Sequence, residues 1–420
     1  MFRYARTLAT PEARHGFVLL SVMIIFFGAA LSVIDNIVTN YFNDVLGLEG
    51  PQFGYITAIR EVPGFLLIFL TAIFYKMSIP RLTAMMLLVL TGGLLLYGTA
   101  DSFWTVAPWV VISSMGYHTV LQTQYALGLS LTTQDRAGSL LGRITAYNNA
   151  GAVVAMVVVL IGFEFGWLSF NVSFILAGLC ALVAAVAIFK FPVLHDGEPE
   201  EVHTARPKMV LRRSYRFYYY LHLLDGARMQ IFFSFGLFVL VSEYGMSVVQ
   251  ITALAIATRL VAMLTGPLFG VWIDRLGEKS MLGALNIVYI AALLGYALIH
   301  NIWVASFIYL VYAVVFPLSS IGSATYLRKV AVRGEIAPSL AMGVTLSHAA
   351  AVIVPITTGY ILNYVSYQVP FLIAAVFASI TIFVTRRLDP LSQRSPARIA
   401  EDAAALRAAQ PLGATGDGGQ

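Results

Sequence analysis

Long apolar segments recur along the whole chain and are separated by short polar connections. Twelve of these segments contain about 20 residues or more, enough to cross the hydrocarbon core of a bilayer at about 1.5 Å per helical residue. No long segment alternates apolar and polar positions with period two, so the pattern favours helices over membrane strands. The predicted membrane-spanning helices are residues 16–42, 52–75, 80–100, 104–132, 139–163, 167–189, 215–241, 248–273, 280–299, 302–327, 338–364 and 368–385.

The composition excludes a water-soluble fold for a chain of 420 residues. Hydrophobic residues make up 59% of the sequence and charged residues only 11%, whereas soluble domains carry about 25% charged residues. The single cysteine, Cys180, lies in an apolar segment, so neither a disulfide framework nor a cysteine-based metal site is expected. The first apolar segment is too long for a signal peptide and is interpreted as an uncleaved first helix.

The distribution of charge gives the orientation of the predicted helices. Three of the 26 Lys and Arg residues lie well inside them, away from the helix ends: Arg60, Arg228 and Arg259. The others lie at the termini or in and beside the connections from even-numbered to odd-numbered helices. The odd-to-even connections carry only acidic charges, at Asp44, Glu49, Asp101, Glu164 and Glu243. This positive-inside pattern predicts a multi-pass protein of the plasma (inner) membrane with both termini in the cytoplasm, and it explains the formal net charge of +5 without a nucleic-acid partner.

The longest connection divides the predicted helices into two sets of six. The resulting organisation is a cytoplasmic N-terminus (1–15), an N-terminal bundle (16–190), a cytoplasmic linker (191–214), a C-terminal bundle (215–388) and a disordered cytoplasmic tail (389–420).

Short matches between the two halves indicate an internal repeat. Thr145 corresponds to Thr345 and Asn148 to His348, at an offset of 200 residues, and Arg60 corresponds approximately to Arg259. Two similar bundles that rock about a site held between them are typical of alternating-access carriers.

A short motif follows the eighth predicted helix. The segment 270–279 reads GVWIDRLGEK and resembles the G-x-x-x-D-R-x-G-[RK]-[RK] signature of the major facilitator superfamily, with Glu278 where a basic residue is usual. The resemblance implies an all-α membrane protein with twelve transmembrane helices in two pseudo-symmetric six-helix bundles. It also implies a cytoplasmic gate that latches one access state, formed here by Gly270, Asp274, Arg275 and Gly277, and a central cavity lined by helices one, four, seven and ten.

Polar side chains within the predicted helices are the candidates for substrate binding or coupling. A charge at membrane depth costs a few kcal/mol and normally faces a partner or a wet cavity. Structural salt bridges and interhelical hydrogen bonds are the alternative explanation. The candidates are Asp35, Asn36, Arg60, Glu61, His118, Gln122, Tyr125, Asn148, His222, Asp225, Arg228, Arg259 and His348.

Two groups of these candidates suggest particular roles. His222, Asp225 and Arg228 recur every three residues, which predicts one polar helix face where Asp225 could couple proton binding to transport. Arg60 and Glu61 are adjacent, which predicts that they point to different sides and do not pair with each other. Arg60 and its repeat mate Arg259 could hold an anionic substrate group.

The favoured function is secondary transport of a small organic solute driven by protons. No P-loop is present, and neither an enzymatic activity nor a cofactor is expected. The expected partners are the solute, protons and the lipid bilayer, and the protein is expected to be a monomer. A ferroportin-like carrier of divalent metal ions is one alternative, and a non-transporting receptor is another. The ligands for the metal ion would be Asp35, His118, His222, Asp225 and His348.

Overall fold

Helices form nearly all of the regular structure in the computed structural model, which describes residues 8, 10–66, 73–74, 76–132, 137–192 and 210–409. No strand occurs in these residues, which confirms the predicted all-α fold. Twelve helices form two sets of six. The first six are α1 (Pro11–Val45), α2 (Gly50–Phe65), α3 (Ile79–Tyr97), α4 (Phe103–Leu129), α5 (Ala137–Glu164) and α6 (Phe170–Phe189).

The second set repeats this arrangement. Its members are α7 (Arg213–Ser242), the pair α8 and α9 within Val248–Leu298, α10 (Ile302–Val330), α11 (Ile336–Tyr364) and α12 (Gln368–Arg386). Gly277 separates α8 from α9, because its φ of 74° and ψ of 157° are not helical. Within α7, residues Gln230–Gly236 form a π-helical segment, a feature that is often found at functional sites.

Side-chain caps start several of the even-numbered helices at one end of the molecule. Ser169 and Asn301 accept hydrogen bonds from backbone N–H groups at the starts of α6 and α10. These caps satisfy N–H groups that a helix leaves without partners.

The turns that lead into α2 and α8 are copies of one another. Gly47 and Gly245 both have positive φ, of 60° and 67°. The backbone N–H of Glu49 donates to Gln52 at 3.2 Å, and that of Ser247 donates to Gln250 at 2.9 Å. The same turn at the same place in each half supports the internal repeat.

Ten helices of the described residues are long and apolar enough to cross a membrane. The other two of the predicted twelve are α2 and α4. The described part of α2 is only 16 residues long. Helix α4 has 27 residues, but serine side chains near its middle and histidine and glutamine side chains in its second half lower its hydropathy.

Each half has its own apolar core, and the halves touch mainly at one end. We call this the acidic end, because Asp44, Glu49, Asp101 and Glu243 lie there. The opposite, basic end carries the arginines and lysines of the even-to-odd connections. At the acidic end α2 packs closely along α11, and the Phe53 and Phe238 rings stack with centroids 4.3 Å apart. The apolar contact closes the space between the halves at the acidic end.

The prediction of a disordered tail over 389–420 is wrong for its first part. Residues Pro396–Ala409 form a further helix, α13. Ser395 caps it through the N–H of Arg398, and the Arg398 guanidinium donates to the Ala331 carbonyl at 3.1 Å. Asp402 pairs with Arg398 at 3.1 Å one turn later. These local and docking contacts order a segment that is too polar to bury as a core. Residues 410–420, and most of the predicted linker (193–209), lie outside the described residues.

Candidate functional site

A cavity of about 650 Å³ lies between the two halves, on the basic-end side of the Phe53–Phe238 contact. Both halves contribute to its wall, through α1 to α5 and through α7, α8, α10 and α11. Helices one, four, seven and ten, which were expected to line the cavity, all contribute to its wall, and five further helices join them. Seven of the predicted site residues line it: Asp35, Asn36, Arg60, Glu61, His118, Arg259 and His348.

Glu61 forms the centre of a cluster that joins the two halves. Its Oε2 lies 3.3 Å from Nδ1 of His348 on α11 and 4.0 Å from Nε2 of His118 on α4. The two imidazole rings meet edge to face, with centroids 5.4 Å apart. Glu61 and His118 are buried, at 8% and 7% exposure, so this carboxylate and these rings interact across the boundary between the halves in a medium of low polarity.

Arg60 and Glu61 do form a pair, so the prediction that they would not is wrong. Nε of Arg60 lies 3.5 Å from Oε1 of Glu61. Adjacent Cβ atoms point to different sides of a helix, but the arginine side chain is long enough to bring its guanidinium back to the Glu61 carboxylate. The Arg60 side chain is 43% exposed, so its guanidinium also faces the cavity.

Asp35 and Arg259 face the cavity from opposite halves. The Asp35 carboxylate is exposed and accepts no hydrogen bond from the residues that the structure describes. Arg259 donates from Nη1 to Oδ1 of Asn149 at 2.9 Å. Asn36 is buried, and its amide donates to the Ser32 carbonyl at 2.7 Å, which holds it within α1.

A second cavity, of about 250 Å³, adjoins the first on the side of the basic end. The two cavities share Glu61 and His348 in their walls. His222 lines the second one, with Nε2 3.3 Å from Oγ of Ser323 and Nδ1 3.5 Å from Oγ of Ser347. The Glu61–His348 pair therefore forms part of the partition between the two cavities.

Arg228 lies away from both cavities, contrary to the predicted common face with His222 and Asp225. Its side chain is 0% exposed and pairs with Asp225 at 2.7 Å. It also donates to Asn286 at 3.1 Å and lies 3.7 Å from the centre of the Tyr289 ring. Each step of three residues turns a helix by about 300°, so two steps carry the side chain about 120° around the axis. The Arg228 charge is thereby neutralised inside the second half.

Asp225 lies between the second cavity and the buried Arg228. It lines the second cavity, accepts from Arg228 and also accepts from the Ser319 hydroxyl. Its contacts resemble those of a structural ion pair more than those of a free coupling carboxylate.

Three further predicted residues line neither cavity. Gln122 and Tyr125 are exposed on α4. The backbone carbonyl of Asn148 packs closely against Gly28 of α1, so this part of α5 takes part in helix packing. Its neighbour Asn149, rather than Asn148, meets a charged group of the cavity wall.

Sequence reasoning missed several cavity residues because they are aromatic or weakly polar. Tyr97, Tyr117, Phe233, Tyr309 and Gln230 all line the central cavity. On α7 a signal was present: positions 222, 226, 230, 233 and 237 follow the spacing of one helix face, and all five line one or both cavities.

The segment that resembles the gating motif surrounds the break between α8 and α9. Arg275 is exposed near the basic end, and Gly277 has the positive φ that ends α8. The side chain of Asp274, and the surroundings of Gly270, lie outside the described residues. Glu278, which departs from the motif, is buried and pairs with Lys329 of α10 at 2.6 Å.

The described residues give no support to the metal-ion carrier. They contain no group of three or more His, Cys, Asp or Glu side chains placed to hold a metal ion. Asp35, His118 and His348 border the central cavity, whereas His222 and Asp225 face the second cavity and have protein partners there.

Two overlapping stretches of the chain, residues 19–331 and 221–414, match the family model of the Major Facilitator Superfamily. No curated protein matches the chain. The structure of a mutant of the nucleoside transporter NupG is similar to this chain, with a TM-score of 0.73 and 14% identity. The similarity covers 88% of this chain and 99% of the NupG chain. A bacterial homologue of the human lysosomal transporter Spinster, in an inward-facing and occupied conformation, is also similar, with a TM-score of 0.69 and 14% identity. The similarity covers 92% of this chain and 100% of the homologue. At these identities the similarity concerns the fold alone.

Proposed function

The chain belongs to the Major Facilitator Superfamily, and from this premise we propose that it carries a small organic solute across the membrane by proton-coupled alternating access. It is a multi-pass membrane protein and a secondary transporter, not an enzyme. The solute, the coupling ion and the roles of individual residues are the subject of the proposal.

Alternating access is supported by the unequal contacts at the two ends. At the acidic end the amide of Asn40 donates to the Met246 carbonyl at 2.9 Å, and the Tyr55 and Tyr360 hydroxyls lie 3.1 Å apart. Each of these contacts joins one half to the other. If the acidic end faces outward, as the positive-inside pattern predicts for a protein of the plasma membrane with cytoplasmic termini, this is an inward-facing state. Rocking of the halves would break these contacts and close the basic end.

Proton coupling is supported by the Glu61 cluster, which is the observation that carries the proposal. His348 belongs to the second half, and Glu61, His118 and Arg60 belong to the first. Movement of the halves changes the distance between Glu61 and His348. Because interaction with a nearby charged group alters proton affinity strongly in a low dielectric, protonation and access state are then linked.

The second cavity offers a route for the proton that is separate from the solute. It reaches Glu61 and His348 from the side of the basic end and carries His222 and Asp225 in its wall. His222 has serine hydroxyls near both ring nitrogens, which suits a group that passes protons along hydrogen bonds.

The gate at the basic end is assigned to the α8–α9 connection. Gly277 supplies the sharp turn, and Arg275 is exposed where the other half would approach in an outward-facing state. Gly270 and Asp274 complete this proposed gate by their resemblance to the family motif.

Reconstituted vesicles test the proposal. Uridine and phenylalanylphenylalanine serve as probes, and a pH-sensitive dye inside the vesicles reports proton movement. We expect one of these probes to drive proton entry with the wild-type protein. We expect Glu61→Gln to abolish proton movement while the probe still binds. Glu164→Gln, a change of the same type at an exposed site, is the control. The proposal would be overturned if the probe flux did not depend on the pH gradient, if Glu61→Gln kept full coupling, or if neither probe drove proton entry with the wild-type protein.

A further inference from the structure

The central cavity contains two charges of opposite sign that are not paired with each other. Asp35 lies on α1 in the first half, and Arg259 lies on α8 in the second. No described cation lies within 4.0 Å of the Asp35 carboxylate, and no described carboxylate lies within 4.0 Å of the Arg259 guanidinium. Asp35 interacts electrostatically with Arg60 and, more weakly, with Arg259, but it forms a salt bridge with neither. Each charge is therefore available to a solute in the cavity.

The remaining charges of the cavity wall neutralise each other locally. Arg60 and Glu61 pair at 3.5 Å, so the wall as a whole carries two acidic and two basic side chains and no formal net charge with its histidines neutral. A solute with one charge would meet one unpaired side chain of opposite sign and one of like sign, because Asp35 and Arg259 both face the cavity. Leaving a charge without a partner, or facing a like charge, costs binding free energy in a confined site.

The rest of the wall is suited to an apolar body. The rings of Tyr97, Tyr117, Phe233 and Tyr309 line the cavity together with aliphatic side chains. A volume of about 650 Å³ falls within the range of sites for drug-sized ligands, which combine apolar walls with a few placed polar groups. Aromatic walls favour a solute with a ring or another flat apolar group.

We propose that the transported solute is a zwitterion with an apolar or aromatic body, whose cationic group binds Asp35 and whose anionic group binds Arg259. The inference deepens the proposed function and rests on it, because it takes the central cavity as the transport site. Arg259 keeps donors free beside its bond to Asn149, and a guanidinium can bind a carboxylate through two of them. Since Asp35 and Arg259 belong to different halves, such a solute links the halves through its own two charges.

Matched probes test the charge requirement by binding to the purified protein at about pH 7 without a gradient. Phenylalanylphenylalanine is the zwitterion, its C-terminal amide the cation and its N-acetyl derivative the anion, all with the same body. We expect the wild-type protein to bind the zwitterion more than tenfold tighter than either singly charged form. In Asp35→Asn the zwitterion should no longer bind more tightly than the anion. In Arg259→Gln it should no longer bind more tightly than the cation.

Glu164→Gln and Arg387→Gln remove exposed charges outside the cavity and should keep the wild-type order. The proposal is overturned if a singly charged probe binds the wild-type protein as tightly as the zwitterion, if the zwitterion does not bind, or if both cavity variants weaken all three probes equally. Binding without a gradient separates this test from proton coupling. A zwitterion that binds as expected but moves no protons would refute the coupling and leave the charge requirement intact.

Discussion

Gly54 of α2 lies against the backbone of α11 at the acidic end, so an alanine there should force the halves apart. An added Cβ would lie 2.4 Å from the Pro355 carbonyl oxygen, although real Cβ atoms essentially never approach a heavy atom closer than 3.0 Å. The obstructing atom belongs to the main chain, so rotation of a side chain cannot relieve the contact. Overpacking of this kind costs about 1–3 kcal/mol. If the cost falls only on the state that is closed at the acidic end, its population relative to the open state falls about 5- to 150-fold.

Spin labels at the acidic end measure this shift. Cys180, which is the only cysteine, is replaced by serine, and cysteines for labelling are introduced at Val45 and Leu298. These side chains are 53% and 70% exposed and belong to different halves. Pulsed electron paramagnetic resonance in lipid nanodiscs then gives the distance distribution. We expect Gly54→Ala to move population from the short distance to a longer one.

Gly92→Ala is the matched control, because a Cβ at Gly92 of α3 meets nothing within 4 Å. Both substitutions gain the same helix propensity, about 1 kcal/mol, so their difference isolates the contact between the halves. A folded Gly54→Ala protein with the wild-type distance distribution would refute the reasoning that this contact holds the acidic end closed.

Two further predictions concern charged groups outside the central cavity. Arg228→Met should lower the thermal stability strongly, since removal of one partner from a buried pair costs about 3–5 kcal/mol. The double variant with Asp225→Asn should recover part of the loss. A wild-type melting temperature for the single variant would contradict the structural role. At the basic end, the hydrogen bond from Arg212 lowers the pKa of Glu335 from its ordinary value of 4.5. A lowered pKa in the folded state means that this pair stabilises the protein above about pH 4.5 and that the contribution disappears as the pH falls through the folded-state value. The melting temperature of the wild-type protein should therefore exceed that of Glu335→Gln at about pH 6, and the difference should vanish in acid; a constant difference would contradict the assignment.

Much of the architecture followed from the sequence because the membrane makes local rules decisive. Lipid offers no hydrogen-bond partner, so each apolar segment must satisfy its own backbone as a helix. This requirement indicated the twelve helices, and the longest connection between them indicated the division into six and six, without knowledge of any tertiary contact. The prediction failed for α13, where Ser395, Arg398 and Asp402 order a polar segment through individual contacts. Such contacts leave no trace in hydropathy.

The sequence also identified which membrane charges need partners, but it could not assign the partners. Arg60, Arg228 and Arg259 look equivalent as single arginines in apolar segments. Only the packed structure separates Arg228, which is fully buried between Asp225 and Asn286, from the two arginines that face the central cavity.

What the sequence by itself determined is the set of helices, their alternating direction and the list of polar groups that the bilayer makes costly. What only the tertiary structure decided is the rotation of each helix about its axis. Rotation depends on packing against neighbours that are distant in the chain, as when Glu61 meets His118 and His348. A rotation of about 100° per residue separates a cavity residue from a buried one, and a hydropathy pattern that is apolar on nearly every face does not specify that angle.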